Sequence, residues 1–387
     1  MPLPEARVSQ KGADRWLIGH PWIYRSDLLG EPEVAGVCRV LDRKGKHLGM
    51  ALYSPRSEIR LRLLTTDDTT IDAAWWRERL RTALARRAGI DATAWRQVHG
   101  EGDALPSLVV DRYDRWLVVQ LLSAGLETMR EIILDTLMEL CQPEGILVRH
   151  DAAVRRREGL TEEVAAVRGT VPESVEVREG AVRYLAAPWR GQKTGAFLDQ
   201  RPNRLLAGTL AVPGGQALDC FAYHGSFALH LATRAGHVTA LDTSAEALAR
   251  GAENARLNQR DNITWLEADA FEQLRQWDRE RRRFDTIVVD PPAFAKSKAT
   301  APEALRGYKE INLRAMRLLA PGGSLLTASC SFHVRRAEFL AMLESAAQDS
   351  GRRLTLVQLL GQGIDHPEIL TIPETGYLKG AVLRADG

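Results

Sequence analysis

A candidate nucleophile stands in the stretch SLLTASCSFHV at 324–334, where an apolar run ends in Cys330 between two serines. A cysteine thiolate attacks electrophilic carbon, so a thiol at the end of a strand could react with a ligand that binds there. The alternative is that Cys330 is a small buried hydrophobic residue, which is the usual role of a free cysteine. The other residues of the site must decide between the two.

Acidic residues end three consecutive strand-like segments: Asp219 in LDCFAYHGSFAL, Asp242 in ALDTSAEAL and Asp269 in LEADAF. The carboxylate of Asp219 could face a positively charged ligand. Asp242 has the position at which one carboxylate accepts hydrogen bonds from both ribose hydroxyls of a nucleoside. Asp269 could accept a hydrogen bond from an adenine amino group. Together the three residues predict a nucleoside site.

The turn after the first of these segments contains one glycine, Gly225, where a dinucleotide site has the pattern G-x-G-x-x-G. Such a loop can admit a nucleoside but is poorly suited to a pyrophosphate, which disfavours a nicotinamide enzyme. Two structural alternatives stay open. The loop could be an ordinary strand–turn–helix corner, and Asp242 could cap the next helix, although Ser244 is available for that role.

A fourth strand-like segment ends in VVDPPAF, where two prolines follow Asp290. Because proline fixes φ and has no backbone N–H, this turn should be stiff and extended. A rigid turn at the mouth of a sheet can hold a flat ring, and Phe294 could stack on it. A plain turn is the alternative.

The elements that must position these residues alternate strictly between strand and helix after residue 200. This alternation predicts a parallel, doubly wound sheet that binds ligands at the carboxyl ends of its strands. Short strand-like segments before residue 70 indicate a small β-barrel or sandwich, and mixed patterns from 96 to about 185 indicate an α+β domain. We expect domains at 1–72, 73–188 and 189–387.

Composition narrows the class of protein. Of the 387 residues, 26% are charged and 45% hydrophobic, which is typical of a soluble globular chain. The four cysteines form no CxxC pair, so neither a zinc ribbon nor a disulfide framework is indicated, and we expect no metal and a cytoplasmic location. We find no signal peptide and no stretch near the roughly 20 apolar residues of a membrane span. Residues 1–64 carry a net charge of +4, which suits phosphate contact or a solvated basic face.

The motifs above, with TASCSFHV, resemble the ordered motifs of class I S-adenosylmethionine-dependent methyltransferases. GQKTGAFLDQRPNR at 191–204, here named the opening motif, is similar to that of the large-subunit (23S) ribosomal RNA cytosine-5 methyltransferases. In that branch a PUA domain precedes the catalytic part. RWLIGHPWIYRSDL at 15–28 and LGMALYSPRSEIRLRLL resemble the PUA domain, and GEGDALPSLVVDRYDRWLVVQ resembles the middle domain. The resemblance covers nearly the whole chain.

The resemblance implies a Rossmann-like catalytic domain with a mostly parallel seven-stranded sheet, after a β-barrel PUA domain and an α+β domain. It implies S-adenosylmethionine as cofactor and ribosomal RNA, free or in a precursor particle, as partner. The implied cofactor-binding residues are Phe197, Asp199, Gln200, Arg201, Asp219, Tyr223, Gly225, Asp242, Asp269, Asp290 and Pro291. The candidate substrate-binding residues are Lys193 near a phosphate, Phe294, and Trp22 and Arg25 in HPWIYRSD, which offer a stacking surface and charge of the type used on RNA. For Trp22, core packing is the alternative.

The resemblance also implies covalent catalysis by Cys330. Carbon five of cytosine is a poor nucleophile, and a thiolate that adds to carbon six turns the ring into an enamine-like species that can take the methyl group. Asp290 would hold the ring nitrogen, and His333 is a candidate for the base that removes the carbon-five proton. Many RNA cytosine-5 methyltransferases carry a second cysteine after the DPP-type proline, where this chain has Pro292 and Ala293.

Two other functions stay open. DPP followed by an aromatic residue is also typical of amino-group methylation, in which Cys330 would have no role. An RNA-binding assembly factor without turnover would keep the fold alone. The arginine runs at 155–157 and 281–283 could contact phosphate or form solvated faces. The sequence leaves the oligomeric state open, a homodimer included.

Overall fold

The computed structural model describes residues 3–295 and 297–386, which form two compact units. The first unit runs from the N-terminal region to Val177 and adds Ala186–Leu198 and Ile364–Thr375. The second unit contains Arg178–Leu185, Asp199–Gly363 and the residues from Gly376 onward.

The first unit begins with a six-stranded sheet and one helix. The elements are β1 (Glu5–Val8), α1 (Gln10–Leu17), β2 (Trp22–Tyr24), β3 (Leu28–Gly30), β4 (Gly36–Leu41), β5 (His47–Tyr53) and β6 (Ile59–Thr65). The strand order is β2-β6-β5-β4-β1-β3, antiparallel except between β1 and β4. Alternate apolar residues of the sheet, such as Cys38, Val40 and Leu61, are fully buried in a core cluster that includes residues of α1. The small β domain expected before residue 70 is therefore present.

A five-stranded sheet with helices follows in the same unit. The elements are α2 (Ala73–Ala85), β7 (Ala94–His99), β8 (Leu108–Tyr113), β9 (Trp116–Leu121), α3 (Ala124–Glu127), α4 (Arg130–Cys141), β10 (Gly145–Arg149), α5 (Ala153–Glu158) and β11 (Val164–Gly169). The strand order is β11-β10-β9-β8-β7. Helix α2 begins after Asp72, whose carboxylate accepts a 3.0 Å hydrogen bond from the N–H of Trp75. The expected α+β character of this region is confirmed.

The second unit is built on a seven-stranded sheet, preceded by the strand pair β12 (Val175–Glu179) and β13 (Val182–Ala186) and by α6 (Arg201–Leu210). Its elements are β14 (Gln216–Cys220), α7 (Ser226–Leu231), β15 (His237–Asp242), α8 (Ala245–Leu257), β16 (Ile263–Glu267), α9 (Ala270–Arg279), β17 (Phe284–Val289), α10 (Ala301–Leu318), β18 (Leu319–Ser329), α11 (Arg336–Ser350), β19 (Leu354–Leu360) and β20 (Lys379–Ala385).

The order β16-β15-β14-β17-β18-β20-β19 makes this sheet mostly parallel, with β20 antiparallel to both of its neighbours. Successive strand residues point to opposite faces. Leu218, Cys220 and Leu325 therefore pack in one core cluster with α9, α10 and α11, while Ala217 and Leu326 pack in another with α6 and α7. The doubly wound α/β fold is confirmed, and Cys220 is a core residue as expected.

Among the helices of the described residues, none combines the length and the apolar character that a membrane crossing requires.

Candidate active site

The loop after β14 holds three residues in left-handed backbone conformation. Phe221 has φ 64°, Tyr223 has φ 50° and Gly225 has φ 79°. For residues other than glycine this conformation costs about 1–3 kcal/mol, and such strain is concentrated at functional sites. At Gly225 a Cβ would also lie 2.3 Å from Cη2 of Trp265, so only glycine fits. The loop therefore has a specific, strained conformation that an ordinary strand–turn–helix connection does not need.

Asp219 lies just before the end of β14 with 1% of its surface exposed. Its Oδ2 accepts a 2.8 Å hydrogen bond from the N–H of Ala228, while its Oδ1 is buried without a partner among the residues that the structure describes. Burial raises the pKa of Asp219 well above its usual value, and the nearby carboxylates of Asp290 and Asp242 add to this. An unpartnered acceptor beside other acids can be satisfied by a cationic or hydrogen-bond-donating ligand.

Asp242 ends β15 and holds the strained loop. Its Oδ2 accepts a 2.8 Å hydrogen bond from the N–H of Tyr223, and its Oδ1 accepts one of 2.9 Å from Ser244. The cap of α8 is the hydroxyl of Ser244, which accepts from the N–H of Ala247, so Asp242 is not that cap. Because each carboxylate oxygen has two lone pairs, both oxygens of Asp242 keep a site for a ribose hydroxyl.

Asp269 is exposed and caps α9, where its Oδ1 accepts a 3.0 Å hydrogen bond from the N–H of Glu272. The capping of this helix by Asp269 is not predicted in the sequence analysis. It leaves Oδ2 available as an acceptor, so the predicted contact with an adenine amino group stays a prediction.

The turn after β17 is anchored from both sides. Gln200, in the opening motif, donates a 2.8 Å hydrogen bond from Nε2 to Oδ1 of Asp290. Pro291 is buried, and Phe294 is half-buried among the rings of Tyr308 and Phe271, whose centroids lie 4.6 and 5.9 Å away. One face of Phe294 is thus used for packing, which holds the ring in place.

Cys330 follows the last residue of β18 and is half-buried, whereas the flanking Ser329 and Ser331 have no exposed surface. The hydroxyl of Ser331 accepts a 3.1 Å hydrogen bond from the N–H of Ala295 and lies 2.8 Å from the hydroxyl of Tyr308. The polar neighbours of the thiol therefore fix its backbone. They also join it to the turn that carries Asp290.

The opening motif divides between the two units. In the first unit Lys193 is exposed, has φ 55° and places Nζ 4.8 Å from the ring centroid of Phe197. In the second unit Oδ2 of Asp199 accepts a 2.6 Å hydrogen bond from the hydroxyl of Tyr377, and Arg201 is buried at the start of α6.

Of the two other predicted RNA contacts, Arg25 is exposed and Trp22 is half-buried. Nε1 of Trp22 donates a 2.9 Å hydrogen bond to Glu101, and both residues belong to the first unit. Arg155, in the first arginine run, is neither a phosphate contact nor part of a solvated face. It is 2% exposed and its Nη1 lies 2.8 Å from Glu127.

Sequence reasoning missed Lys379, the first residue of β20, which pairs with Ser329 across the sheet. Its Nζ donates hydrogen bonds to the carbonyl oxygens of Ser331 and Tyr377, the second at 3.0 Å. Burial lowers the pKa of Lys379 to about 8. A lysine at the start of the otherwise apolar segment KGAVL is the signal that could have found it.

The arrangement fits a nucleoside that carries positive charge: an unpartnered acid at β14, a ribose acceptor at β15 and an exposed acid at β16. A profile of S-adenosylmethionine-dependent methyltransferases matches residues 103–382, and a profile of PUA-like domains matches residues 6–66. The chain belongs to the S-adenosylmethionine-dependent methyltransferase family. Its cofactor is S-adenosylmethionine, as expected, and a PUA-like domain precedes the catalytic part.

Relatives of similar length belong to the same family. The chain is 40% identical to ribosomal RNA large subunit methyltransferase I of Aeromonas hydrophila, over 97% of this chain and 98% of the relative. It is 38% identical to the protein of that name from Enterobacter sp., with the same coverage. A solved methyltransferase from Streptococcus mutans, 18% identical, covers 99% of this chain and 100% of its own with a TM-score of 0.83. That likeness concerns the fold alone.

Proposed function

We propose that this protein methylates carbon five of a cytosine in large-subunit (23S) ribosomal RNA, with Cys330 as the covalent nucleophile. The names of the relatives support large-subunit ribosomal RNA as the substrate. The observation that carries the cytosine chemistry is the half-buried thiol of Cys330 at the carboxyl end of β18. Cys220, on β14 of the same sheet, is fully buried in the core, whereas Cys330 lies at the edge of the sheet where ligands of this fold bind.

When bound, S-adenosylmethionine supplies an electrophilic methyl group on a sulfonium centre. We propose that Asp242 accepts hydrogen bonds from its ribose, that Asp219 faces its positive charge and that Asp269 contacts its adenine. The remaining residues proposed to line or close over the cofactor are Phe197, Asp199, Gln200, Arg201, Tyr223, Gly225, Asp290 and Pro291. Gln200 supports this assignment because its amide is already bonded to Asp290.

The chemistry begins when the Cys330 thiolate adds to carbon six of the cytosine, so that an S–C bond forms and an electron pair becomes available at carbon five. Carbon five then takes the methyl group in line, and the electrons of the broken S–CH₃ bond stay on the departing thioether. Loss of the carbon-five proton to a base and cleavage of the S–C6 bond restore the thiolate. Asp290 holds the ring nitrogen during these steps, and His333 is the candidate base.

RNA contact is assigned to three residues of the first unit and to one ring of the second. Lys193 would lie near a substrate phosphate, Arg25 offers charge, and Trp22 and Phe294 offer stacking surfaces. A PUA-like domain at residues 6–66 supports an RNA-binding role for the N-terminal part. The division into domains at 1–72, 73–188 and 189–387 is part of this proposal.

Amino-group methylation is the second candidate. The observation that favours it is the stiff turn of Asp290, Pro291 and Phe294, which could grip an exocyclic nitrogen between a carboxylate and a backbone carbonyl. In that reaction Cys330 would have no chemical part. The two candidates therefore differ in their dependence on one sulfur atom.

The test compares wild type with Cys330→Ala and Cys141→Ala, using S-adenosylmethionine labelled with tritium in the methyl group and unmodified large-subunit RNA. Cys141 is the matched control because it is also half-buried but lies on α4 of the first unit. The RNA is digested to nucleosides. We expect label in 5-methylcytidine for wild type and Cys141→Ala, and a loss of at least ~10³-fold for Cys330→Ala.

Label in a methylated amino group that survives Cys330→Ala would replace the cytosine-5 proposal with the second candidate. RNA binding without any methyl transfer by the wild-type protein would favour an assembly factor instead.

A further inference from the structure

Lys379 is a lysine with almost no access to water: 5% of its surface is exposed. A buried ammonium group is costly unless it is paired and hydrogen-bonded. The Nζ of Lys379 donates hydrogen bonds to the backbone carbonyl oxygens of Ser331 and Tyr377. Within residues 3–295 and 297–386, no carboxylate lies within ion-pair distance of its Nζ. The charge of Lys379 therefore lacks an ordinary structural partner.

Lys379 contacts the residues on both sides of Cys330. Strands β18 and β20 are antiparallel, and their register places Lys379 opposite Ser329, the residue before the thiol. The side chain then reaches past it, because Nζ donates to the carbonyl oxygen of Ser331, the residue after the thiol. The backbone of Cys330 is thus held between two contacts of one lysine. The charge of the Cys330 thiolate raises the pKa of Lys379 and so opposes the effect of burial.

We propose that the ammonium group of Lys379 stabilises the thiolate form of Cys330 and so prepares it for attack. Ionisation of the thiol sends its proton to solvent, and the resulting thiolate supplies the negative charge that the buried ammonium lacks. Lys379 acts through Cys330 and is a positioning residue. The use of this thiolate in methyl transfer rests on the proposed function, but the charge effect on the thiol does not.

The charged groups around this pair are few. Lys379 is influenced by burial, then by Cys330, and then by Arg336 and Glu338 at the start of α11, which carry opposite charges and oppose each other. Tyr308 of α10 also faces Cys330, but burial raises the pKa of its phenol, so it stays neutral near pH 7. Lys379 is therefore the buried cation that can favour the thiolate.

The sign of the pH dependence follows from the pKa of Lys379. Below about pH 8 the lysine is charged and favours ionisation of the thiol, so the thiol titrates at a lower pH than it would alone. As the pH rises above that value, the lysine loses its proton and the effect fades. The difference between wild type and a variant without the cation should therefore be largest near neutral pH.

The experiment measures alkylation of Cys330 by iodoacetamide against pH in the full-length protein, with the modified peptide quantified by mass spectrometry. The variants are Lys379→Met and Lys379→Arg. Lys309→Met is the control, because Lys309 is a half-buried lysine of α10 whose Nζ lies 2.6 Å from a carboxylate oxygen of Asp349. We expect Lys379→Met to raise the midpoint by about one pH unit, equivalent to roughly tenfold slower alkylation at pH 7. Lys379→Arg should recover part of this shift, and Lys309→Met should leave the midpoint unchanged.

An unchanged midpoint in folded Lys379→Met would overturn the proposal. If that variant does not fold, the wild-type midpoint decides, because the proposal requires it to lie below about 8.5, the value of an ordinary thiol. The assay needs neither RNA nor methyl transfer. A shifted midpoint together with methyl transfer that survives Cys330→Ala would keep the charge effect and reject covalent catalysis, whereas an unshifted midpoint with activity abolished by Cys330→Ala would do the reverse.

Discussion

The carboxyl edge of the seven-stranded sheet has two halves of opposite character. After β14 and β15 the polar groups are carboxylates, and Asp219 and Asp242 both accept hydrogen bonds from backbone N–H groups. Burial raises the pKa of Asp219, and the nearby carboxylate of Asp242 adds to this. The loop between them has left-handed backbone at Phe221 and Tyr223 and is held by the hydrogen bond from the N–H of Tyr223 to Asp242. This half, the acidic half, is shaped for a ligand that brings positive charge.

The other half, after β17 and β18, contains a thiol, two buried serines and a buried lysine. Its loops are held by side-chain hydrogen bonds, chiefly those of Ser331 with Ala295 and Tyr308. We name it the thiol half. A cation there favours a thiolate, whereas a cation in the acidic half would compete with the cofactor.

Under the proposed function, one sheet edge serves two reactants. A sulfonium donor and a thiolate nucleophile need fields of opposite sign, and placing the acids and the lysine at different strand ends provides both. Asp290, at the end of the central strand β17, is the carboxylate of the thiol half that lies next to the acidic half in the strand order. Substitutions in one half should therefore affect cofactor binding, and those in the other should affect reactivity of the thiol.

The largest expected effect on stability is that of Gly225→Ala in the acidic half. The new Cβ would require a left-handed backbone and would lie 2.3 Å from Trp265, which together cost about 3 kcal/mol. For a unit of this size we expect the Tm to fall by about 6–10 °C in calorimetry. Gly351→Ala is the control: φ is +68°, but nothing lies within 4 Å of its Cβ position, so about 2–4 °C should be lost.

Equal losses at Gly225 and Gly351 would mean that the loop adapts to the methyl group. The requirement for glycine at position 225 would then be no stricter than at Gly351, where the end of α11 leaves space for a Cβ.

Asp219→Asn removes the charge from the acidic half and keeps its shape. We expect S-adenosylmethionine affinity to fall by about 30-fold in calorimetric titration, because a charge-assisted contact becomes a neutral one. The raised pKa of Asp219 sets the pH dependence: a proton competes with the cationic ligand, so wild-type affinity should rise as the pH rises through that pKa. The variant should show no such rise.

Stability should move in the opposite direction to affinity. Because folding raises the pKa of this carboxyl, its ionisation destabilises the ligand-free protein as the pH increases, and Asp219→Asn removes that penalty. Asp269→Asn is the control for stability alone, because it changes an exposed cap that asparagine can also form, and little change in Tm is expected. Reduced affinity that follows pH in the same way as wild type would show that Asp219 does not face the positive charge.

The sequence predicts the acidic half better than the thiol half, because the acidic half depends on patterns within short segments of the sequence. Asp219 and Asp242 follow segments whose strand character is visible in the residues themselves, and parallel strands with helical crossovers bring their ends together. The left-handed conformations of Phe221 and Tyr223 were not predictable, because neither residue type favours them.

In the thiol half the decisive contacts join distant parts of the chain. Gln200 bonds to Asp290 across 90 residues of sequence, and Lys379 reaches Ser331 across 48. Strict strand–helix alternation also gives no indication that β20 inserts antiparallel between β18 and β19. Cys330 could be predicted from its residue type and its sequence neighbours. To predict that Lys379 lies nearby, the order of the strands must be known.

The smallest expected effects come from substitutions of Ser331 and Tyr308 in the thiol half, which test whether their hydrogen bonds affect methyl transfer beyond their effect on stability. Ser331→Ala deprives the N–H of Ala295 of its acceptor and removes the contact with Tyr308, so the thiol loses its fixed position. We expect methyl transfer to fall by about tenfold and the Tm by about 2–4 °C. Tyr308→Phe keeps the bond from Ala295 and should cost about threefold in methyl transfer.

Ser123→Ala is the matched control for this pair. Ser123 is also fully buried and caps α3, but it lies in the first unit, where its hydroxyl contacts Ser107 at 2.6 Å. It should lose stability comparable to that of Ser331→Ala and keep its methyl transfer, since it does not touch the thiol half. If both serine variants lost methyl transfer to the same degree, the loss would follow from general destabilisation, and the hydrogen bonds around Cys330 would have no special role in presenting the thiol.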